Sequence, residues 1–244
     1  MKLTVLGSGS SGNGYVLQND NEALVVECGM SVASMKKALD FNVMKLKGCL
    51  VSHGHGDHAK QVQKYSAFAP VYMSAGTAEE IGVVGNRNIV KMKPLELVKI
   101  GRFSVIPFDV YHDSKEPLGF FIMHDEIGKL LFVTDTAFLK YKVPGLTNIM
   151  IEANFDEGIL DGNVKSGTIH PSLAKRIRKS HLSLTTCIEA LQANDLSAVN
   201  NIVLLHLSDD NADEAMFRKT VEASTGKKTY IAKKGLEIEF NKEF

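Results

Sequence analysis

The stretch that decides the fold is His53-Gly54-His55-Gly56-Asp57-His58, which directly follows a β-type run over residues 48–52. Its two glycines relax the backbone, so His53 and His55 can point at one ion while Asp57 and His58 turn toward a second. Imidazole and carboxylate are ligands that zinc, manganese and iron accept, and no cysteine lies in the stretch. A solvated histidine-rich loop is the plainer alternative, but the preceding strand argues against it. The stretch therefore predicts a site for two divalent metal ions.

The composition describes a neutral chain that can bury a core. Its 244 residues are 44% hydrophobic, so we expect one domain spanning residues 1–244. Lys and Arg together number 28, as do Asp and Glu, whereas a protein that holds nucleic acid by bulk charge is usually basic. Any polyanionic substrate must therefore be bound by a few local residues.

The cysteines and the N-terminal sequence bear on the compartment. Cys28, Cys49 and Cys187 are odd in number and lack paired spacing, which is typical of buried thiols and not of a disulfide framework. The chain starts with a strand-like run over residues 2–6 and lacks the regions of a signal peptide, and no apolar run reaches transmembrane length. We expect a cytoplasmic protein with no membrane association.

The remaining pattern indicates a mixed α/β chain. β-type runs cover residues 3–6, 15–17, 23–27, 48–52, 71–73, 103–108, 119–124, 130–134, 149–152, 202–206, 229–232 and 236–240. Helical patterns cover residues 31–40, 77–81, 173–179, 183–193 and 211–223, with capping boxes at Thr77/Glu80 and Asn211/Glu214. Residues 158–167 are rich in glycine and asparagine and predict a mobile insert. Strand-rich stretches followed by helices in both halves predict two packed sheets flanked by helices.

The motif His-x-His-x-Asp-His after a strand resembles the signature of the metallo-β-lactamase superfamily. The resemblance implies a four-layer αββα sandwich of two mixed β-sheets and a complete ligand set. That set is His53, His55 and His112 for one ion, Asp57, His58 and His206 for the other, and Asp135 bridging both. Each downstream residue has a plainer interpretation: a surface turn for His112, a turn-forming Asp135, and a neighbour of a helix cap for His206. Three independent coincidences at strand ends are a poor explanation of the joint pattern.

Further segments narrow the resemblance. They are, in order, Gly7-Ser8-Gly9-Ser10-Ser11-Gly12-Asn13, His112-Asp113 followed by Pro117-Leu118-Gly119-Phe120, Glu152-Ala153-Asn154, Arg176-Ile177 to His181-Leu182-Ser183, and His206-Leu207-Ser208. Together, from residue 1 to about residue 217, they resemble the YycJ/WalJ-type exonucleases. The resemblance implies a cytoplasmic 5′-to-3′ exodeoxyribonuclease that acts on single- or double-stranded DNA, is linked to DNA repair, and uses zinc or manganese.

The chain also departs from that family at three places. Its Asp-x-Gly reads Glu27-Cys28-Gly29, its Asn-His-Asp reads Asn154-Phe155-Asp156, and its Gly-His-Leu-Ser-Asn reads Ser180-His181-Leu182-Ser183-Leu184. None of these changes removes a predicted metal ligand. They bear on substrate preference, while hydrolytic capacity should be retained.

Two residues are predicted to act in catalysis. A pair of divalent ions about 3.5 to 4 Å apart lowers the pKa of water between them, which supplies a hydroxide that can attack phosphorus. Asp57 would accept a hydrogen bond from that hydroxide and orient it. His181 would bind the scissile phosphate or protonate the leaving group, although a helix-terminal histidine with no such role is the plainer alternative.

Substrate contacts are predicted in two segments. The loop with Ser8, Ser10 and Asn13 can present backbone amides to a phosphate, unless it only connects two strands. Arg176 and Arg178 are good phosphate partners, unless residues 175–179 form only a solvated helix face. His124 and His170 are interpreted as structural, the latter because it precedes Pro171 at a helix start.

Three functions remain open at this stage. The leading one is a dinuclear, metal-dependent phosphodiesterase that degrades DNA. The second is a hydrolase of small cyclic phosphodiesters, which a closed pocket would favour over an extended DNA channel. The third is a non-catalytic scaffold that binds nucleic acid, against which the intact ligand set argues.

Overall fold

The computed structural model describes residues 1–242, so the last two residues of the predicted unit 1–244 lie outside it. Its strands are β1 (Lys2–Gly7), β2 (Gly14–Gln18), β3 (Ala23–Val26), β4 (Leu46–Leu50), β5 (Val71–Ser74), β6 (Ile89–Met92), β7 (Val98–Ile100), β8 (Phe103–Asp109), β9 (Leu118–His124), β10 (Gly128–Val133), β11 (Asn148–Glu152), β12 (Asn201–Leu205), β13 (Thr229–Ile231) and β14 (Glu237–Glu239). They form two mixed sheets of seven strands each, in the orders β14-β1-β2-β3-β4-β5-β6 and β13-β12-β11-β10-β9-β8-β7.

Helices cover the outer faces of both sheets. They are α1 (Val32–Ala38), α2 (Gly56–Ala59), α3 (Val62–Tyr65), α4 (Ala75–Glu80), α5 (Glu157–Lys165), α6 (Pro171–Ser180), α7 (Leu184–Gln192) and α8 (Glu214–Thr225). One apolar cluster joins the facing sides of the two sheets, a second packs α1, α3 and α4 on the first sheet, and a third packs α7 and α8 on the second. The predicted four-layer αββα sandwich is therefore confirmed.

Burial explains why the central strands read as continuous apolar runs. Every residue of β11 and of β12 is buried, as expected for parallel strands with a layer on each face. β10, β11 and β12 pair in parallel, and β8 runs in the same direction because it pairs antiparallel with β9, which pairs antiparallel with β10. The carboxyl ends of these four strands consequently meet at one edge of the second sheet.

Both predicted capping boxes are wrong. The side chain of Ser74 caps α4 by accepting a hydrogen bond from the Thr77 N–H, which places Thr77 inside the helix. α8 begins later than predicted, because Asp213 accepts from the Met216 N–H while the Asn211 amide is engaged with Ser208 Oγ. In both cases a competing polar residue lies close enough in sequence to take the capping position.

The predicted mobile insert at residues 158–167 is mostly helix α5. Asp156 caps it by accepting from the Ile159 N–H, and Leu160 is fully buried. Strands β6 and β7 were not predicted, because each is short and mostly exposed and lacks a clear alternation. In the described part of the chain, no helix has the length and apolar character needed to cross a membrane.

Candidate metal centre

The histidine loop between β4 and α2 is held by backbone contacts to two other segments. Asn13 N donates to the Asp57 carbonyl at 2.7 Å, and Cys28 N donates to the His58 carbonyl at 2.8 Å. A Cβ placed on Gly29 would lie 1.6 Å from the Asp57 carbonyl oxygen, so only glycine allows this approach. The loop is therefore fixed before any ligand binds.

Six of the eight histidines of the chain converge beside this loop. The first group contains His53, His55, His112 and Asp135, whose potential ligand atoms all lie within 4.8 Å of one another. His112 Nε2 is 3.1 Å from His55 Nδ1 and 3.6 Å from Asp135 Oδ2. This geometry suits three imidazoles and one carboxylate around one cation.

A second group lies on the other side of Asp135. It contains Asp57, His58 and His206, with Asp57 Oδ2 3.2 Å from His58 Nε2 and 3.4 Å from His206 Nε2. Asp135 contacts both groups, since its Oδ2 is 3.6 Å from His58 Nε2 and its Oδ1 is 3.0 Å from His206 Nδ1. The structure thus brings all seven predicted ligands together, with Asp135 between the two groups.

Neighbouring groups orient the imidazoles. His53 Nδ1 is 2.9 Å from Ser52 Oγ, and His112 Nδ1 is 2.8 Å from the Ser180 carbonyl. These contacts leave Nε2 of each ring directed at the shared centre, an arrangement typical of histidine ligands to metals. Buried Glu27 lies 3.4 Å from His58 Nδ1 and occupies the same orienting position for the second group.

The arrangement of the donor atoms is better explained by a bound cation than by hydrogen bonds among them. His53 Nε2 is buried and has no hydrogen-bond partner within residues 1–242, although polar atoms in that position are normally paired. Burial, together with His58, lowers the pKa of His53, which keeps its ring neutral and able to ligate a metal. A divalent ion would provide the partner that this nitrogen lacks.

The carboxylates of the centre stabilise positive charge. Burial opposes ionisation of Asp135, but the nearby His206 and His58 outweigh it and hold the pKa of this carboxyl well below its usual range. Asp57 behaves in the same way, with its pKa lowered by the same two histidines against the effect of burial. Against the effect of burial, the same carboxylates raise the pKa values of His58 and His206, so the charges of the two groups balance each other in a largely buried position. A divalent ion would take the place of the protons on these two rings.

The backbone is strained at three positions around the centre. Glu27, Asp135 and His206 have φ values of 69°, 44° and 51°, in the left-handed region that residues with side chains rarely adopt. Each such residue costs about 1–3 kcal/mol, and such residues cluster at functional sites. Each follows the end of a buried strand, so the strain turns its side chain into the centre.

A carboxylate that the sequence did not single out for a role joins the centre. Glu152, the last residue of β11, is fully buried, and its Oε1 lies 2.7 Å from His181 Nδ1 and 3.2 Å from His206 Nδ1. Its Oε2 accepts hydrogen bonds from the Thr136 and Leu182 N–H groups. The only indication in the sequence was an acidic residue at the end of an apolar strand. Buried acids are rare unless they are paired, so such a residue is expected to have a partner.

His181 lies where α6 ends and also contacts the centre. Burial lowers the pKa of His181, but the Glu152 carboxylate outweighs this and raises the pKa above its usual value. Phe155, one of the departures from the exonuclease pattern, packs with Leu160 and Ala174 in a small apolar cluster between α5 and α6. This packing joins α5 to α6, the helix that ends beside His181.

The predicted substrate contacts divide into two sets. Ser10 and Arg176 line an open cleft of about 200 Å³ over the centre. Ser8 and Asn13 are engaged inside the protein, since Ser8 Oγ accepts from the His206 N–H and the Asn13 amide donates to Asp57 Oδ2. Arg178 is not brought to the cleft: it pairs with two acids of α5, each at 2.7 Å.

The cleft is lined by residues from both halves of the chain. They are Ser10, His55, Asp57, His112, Asp135, Leu173, Arg176, Ile177, Ser180, His181 and His206. His124 and His170 lie elsewhere, with His124 against Glu22 and His170 capping α6. The cleft therefore brings together the two ligand groups, His181 and one arginine.

Known proteins resemble this chain over much of its length. The sequence model of the metallo-β-lactamase superfamily matches residues 7–148, more than half of the chain. The chain is 28% identical to the exodeoxyribonuclease YycJ of Bacillus anthracis, over 98% of this chain and 94% of that protein. It is also 28% identical to the exodeoxyribonuclease WalJ of Streptococcus pneumoniae, over 86% of this chain and 82% of that protein.

The fold has close counterparts among solved structures. The metallo-β-lactamase fold protein YhfI of Bacillus subtilis superposes with a TM-score of 0.73 at 17% identity, covering 98% of this chain and 99% of that one. This likeness concerns the fold, whereas the match over residues 7–148 concerns the family. The chain belongs to the metallo-β-lactamase superfamily and is a metal-dependent hydrolase.

Proposed function

We propose that this chain is a dinuclear phosphodiesterase that degrades DNA from the 5′ end. The observation that carries the proposal is the pair of ligand groups joined by Asp135 at the floor of an open cleft. Two joined cation sites suit phosphodiester hydrolysis, in which both the attacking and the leaving oxygen need charge stabilisation. The similarity to two exodeoxyribonucleases over most of the chain supports DNA as the substrate.

His53, His55 and His112 would hold one ion, Asp57, His58 and His206 the other, and Asp135 both. Zinc or manganese bound there would lower the pKa of water and neutralise charge on the phosphate oxygens. The Asn13 amide donates a hydrogen bond to Asp57 Oδ2 at 3.1 Å, which holds the carboxylate in place. Besides holding an ion, Asp57 would orient the attacking water by accepting a hydrogen bond from it.

His181 would donate the proton that the leaving oxygen requires. Its Nδ1 is occupied by Glu152 at 2.7 Å, so Nε2 is the atom available to the substrate in the cleft. Glu152 would act as a positioning residue that fixes the ring orientation. Arg176 at the cleft would bind a phosphate, in exchange for its present partner Asp113 at 2.7 Å.

The openness of the cleft favours a polymer end over a small cyclic substrate. A hydrolase of small diesters encloses its substrate, whereas this cleft is bordered by exposed Ser10, Leu173 and Arg176. A scaffold without activity would have no need of seven converged ligands. A cytoplasmic location and a part in DNA repair stay predictions of the sequence.

The test is degradation of labelled DNA by metal-stripped protein reloaded separately with Mn²⁺ and with Zn²⁺. Linear DNA labelled at the 5′ end should release labelled nucleotides, while circular single-stranded DNA and a strand blocked at its 5′ end should stay intact. Asp57→Asn serves as the inactive control. Hydrolysis of a cyclic dinucleotide with no cleavage of DNA would replace the proposal by the small-diester alternative.

A further inference from the structure

Two exposed aromatic side chains stack against each other beside the metal centre. The rings of Tyr111 and Phe138 have centroids 4.1 Å apart and an interplanar angle of 22°. Of their surfaces, 43% and 46% remain exposed. Exposed aromatic surface is unfavourable in water. A stacked pair also leaves the outer face of a ring open to a further planar group.

The fold places this pair at the same sheet edge as the metal ligands. Tyr111 directly precedes His112 after β8, and Phe138 lies three residues after Asp135 beyond β10. β8 and β10 run in the same direction, so their carboxyl ends lie together. The pair therefore lies at the same end of the sheet as the proposed active site, next to His112 in sequence but outside the residues that line the cleft.

Hydrogen bonds fix the two loops to each other. Tyr111 N donates to Thr136 Oγ1 at 3.0 Å, and Ala137 N donates to the Tyr111 carbonyl at 2.9 Å. Thr136 Oγ1 also donates to the Phe138 carbonyl at 2.9 Å, and Thr136 N donates to Glu152 of the centre. A rigid surface of this kind loses little conformational entropy when a planar ligand stacks on it.

Two lysines follow the pair closely in sequence. Lys140 Nζ lies 5.6 Å from the centroid of the Tyr111 ring, and Lys142 is exposed two residues further on. Asp109 forms a direct ion pair with Lys140 and balances its charge, whereas Lys142 forms no ion pair within residues 1–242. Aromatic faces beside cations are what proteins use to bind single-stranded nucleic acid, with bases on the rings and phosphates near the lysines.

We infer that Tyr111 and Phe138 form a stacking platform for an unpaired base, so that the preferred substrate end is a single-stranded or frayed 5′ terminus. A base inside a duplex has both faces covered by its neighbours and cannot stack on the platform. This inference rests on the proposed function, because it specifies which DNA end the active site receives. Phe138, the more exposed of the two rings, would carry the base.

The test measures binding instead of cleavage. Metal-loaded protein is titrated into a fluorescent single-stranded oligonucleotide with non-hydrolysable phosphorothioate links, read by anisotropy. A second oligonucleotide is identical except that abasic residues replace the 5′-terminal nucleotides. Wild type should bind the first about 10-fold more tightly than the second, because each base that stacks on an aromatic ring adds to the affinity.

The variants separate stacking from apolar contact and from folding. Phe138→Ala should bind both oligonucleotides with the weak affinity that wild type has for the abasic one, and Phe138→Leu should do the same. Phe138→Tyr should keep the 10-fold preference. Phe68→Ala, which removes an exposed phenyl ring between α3 and β5 of the first sheet, should behave as wild type.

Two results would overturn the inference. One is an unchanged preference for the intact oligonucleotide in Phe138→Ala, which would place base recognition elsewhere. The other is a wild-type dimer that Phe138→Ala converts to a monomer in sedimentation, which would show that a second copy covers the rings. If the preference is present but no DNA is cleaved with either metal, the platform stands and the proposed exonuclease activity fails.

Discussion

The two ends of the β-sandwich each bury histidine beside carboxylate, but they are built differently. At the end of β9, His124 Nε2 lies 3.2 Å from Glu22, and His124 Nδ1 accepts from the Glu126 N–H at 3.2 Å. Both ring nitrogens therefore have partners within the protein. At the opposite end, His53, which follows β4 of the first sheet, has a buried Nε2 without a hydrogen-bond partner among the described residues.

The backbone differs in the same way. Glu22 and His124 are not among the residues with positive φ, whereas Asp135 and His206 are. Strain of that kind persists only where surrounding structure imposes it. A buried histidine next to a carboxylate is thus a poor indicator of function on its own. The indicators are convergence of several such pairs, a donor atom left without a partner, and strained backbone.

The largest effect on the metal centre is expected from Asp135→Asn. The change keeps the shape of the side chain but removes the negative charge that both ligand groups share, so each cation loses an anionic ligand. Even partners that only orient metal ligands are worth about 10- to 100-fold, so we expect kcat/KM to fall by more than about 100-fold. Metal content, measured by plasma mass spectrometry, should fall below two ions per chain. Two tightly bound ions in the variant would contradict the bridging role.

A smaller effect is expected from Glu152→Gln. If Glu152 only positions His181, kcat should fall about 100-fold, near the lower end of what general acid catalysis contributes, while KM changes little. The double variant with His181→Ala should be no slower than His181→Ala alone, because both changes remove one function. Turnover and metal content should be measured together. A multiplicative loss in the double variant would show that Glu152 acts separately.

Arg176 and Arg178 form a matched pair that tests the cleft. Both lie on α6 and removal of either changes the net charge equally, but Arg176 lines the cleft and Arg178 pairs with Glu157 and Asp161. Arg176→Ala should weaken single-stranded DNA binding and reduce the slope of log K against log salt by about 0.7, the value of one phosphate contact. Arg178→Ala should leave the slope unchanged. Equal slopes in the two variants would remove Arg176 from the substrate path.

The candidate metal ligands could be predicted because residues 53–58 form a local motif, from which the resemblance to the superfamily implied His112, Asp135 and His206. Imidazoles at alternate positions of one loop, and polar residues at the ends of apolar runs, can be recognised without knowing how the sheets pair. The partnership of Glu152 and His181 could not be derived in this way. It depends on where α6 ends relative to β11, which is set by packing around Phe155.

Two other predictions do not agree with the structure because they considered residue types without their positions around a helix. Arg176 and Arg178 are two positions apart and so face different directions on a helix, whereas Leu173, Arg176, Ile177 and Ser180 share one face at the spacing of helical turns. That spacing was present in the sequence and could have excluded Arg178. The glycines of residues 158–167 suggested mobility, but buried Leu160 and the Asp156 cap make the segment helical.

The smallest expected effect on activity is that of Glu22→Gln. Glu22 accepts a hydrogen bond from the Arg102 N–H at 2.8 Å in addition to facing His124, and both contacts are remote from the cleft. Losing the charge beside a buried histidine should lower the free energy of unfolding by about 1–3 kcal/mol, seen as a lower urea midpoint with an unchanged slope. Metal content and kcat should equal those of wild type. A loss of bound metal would mean that the two ends of the sandwich are coupled. The distinction between a structural histidine–carboxylate pair and a functional centre would then rest on the unpaired donor atoms alone.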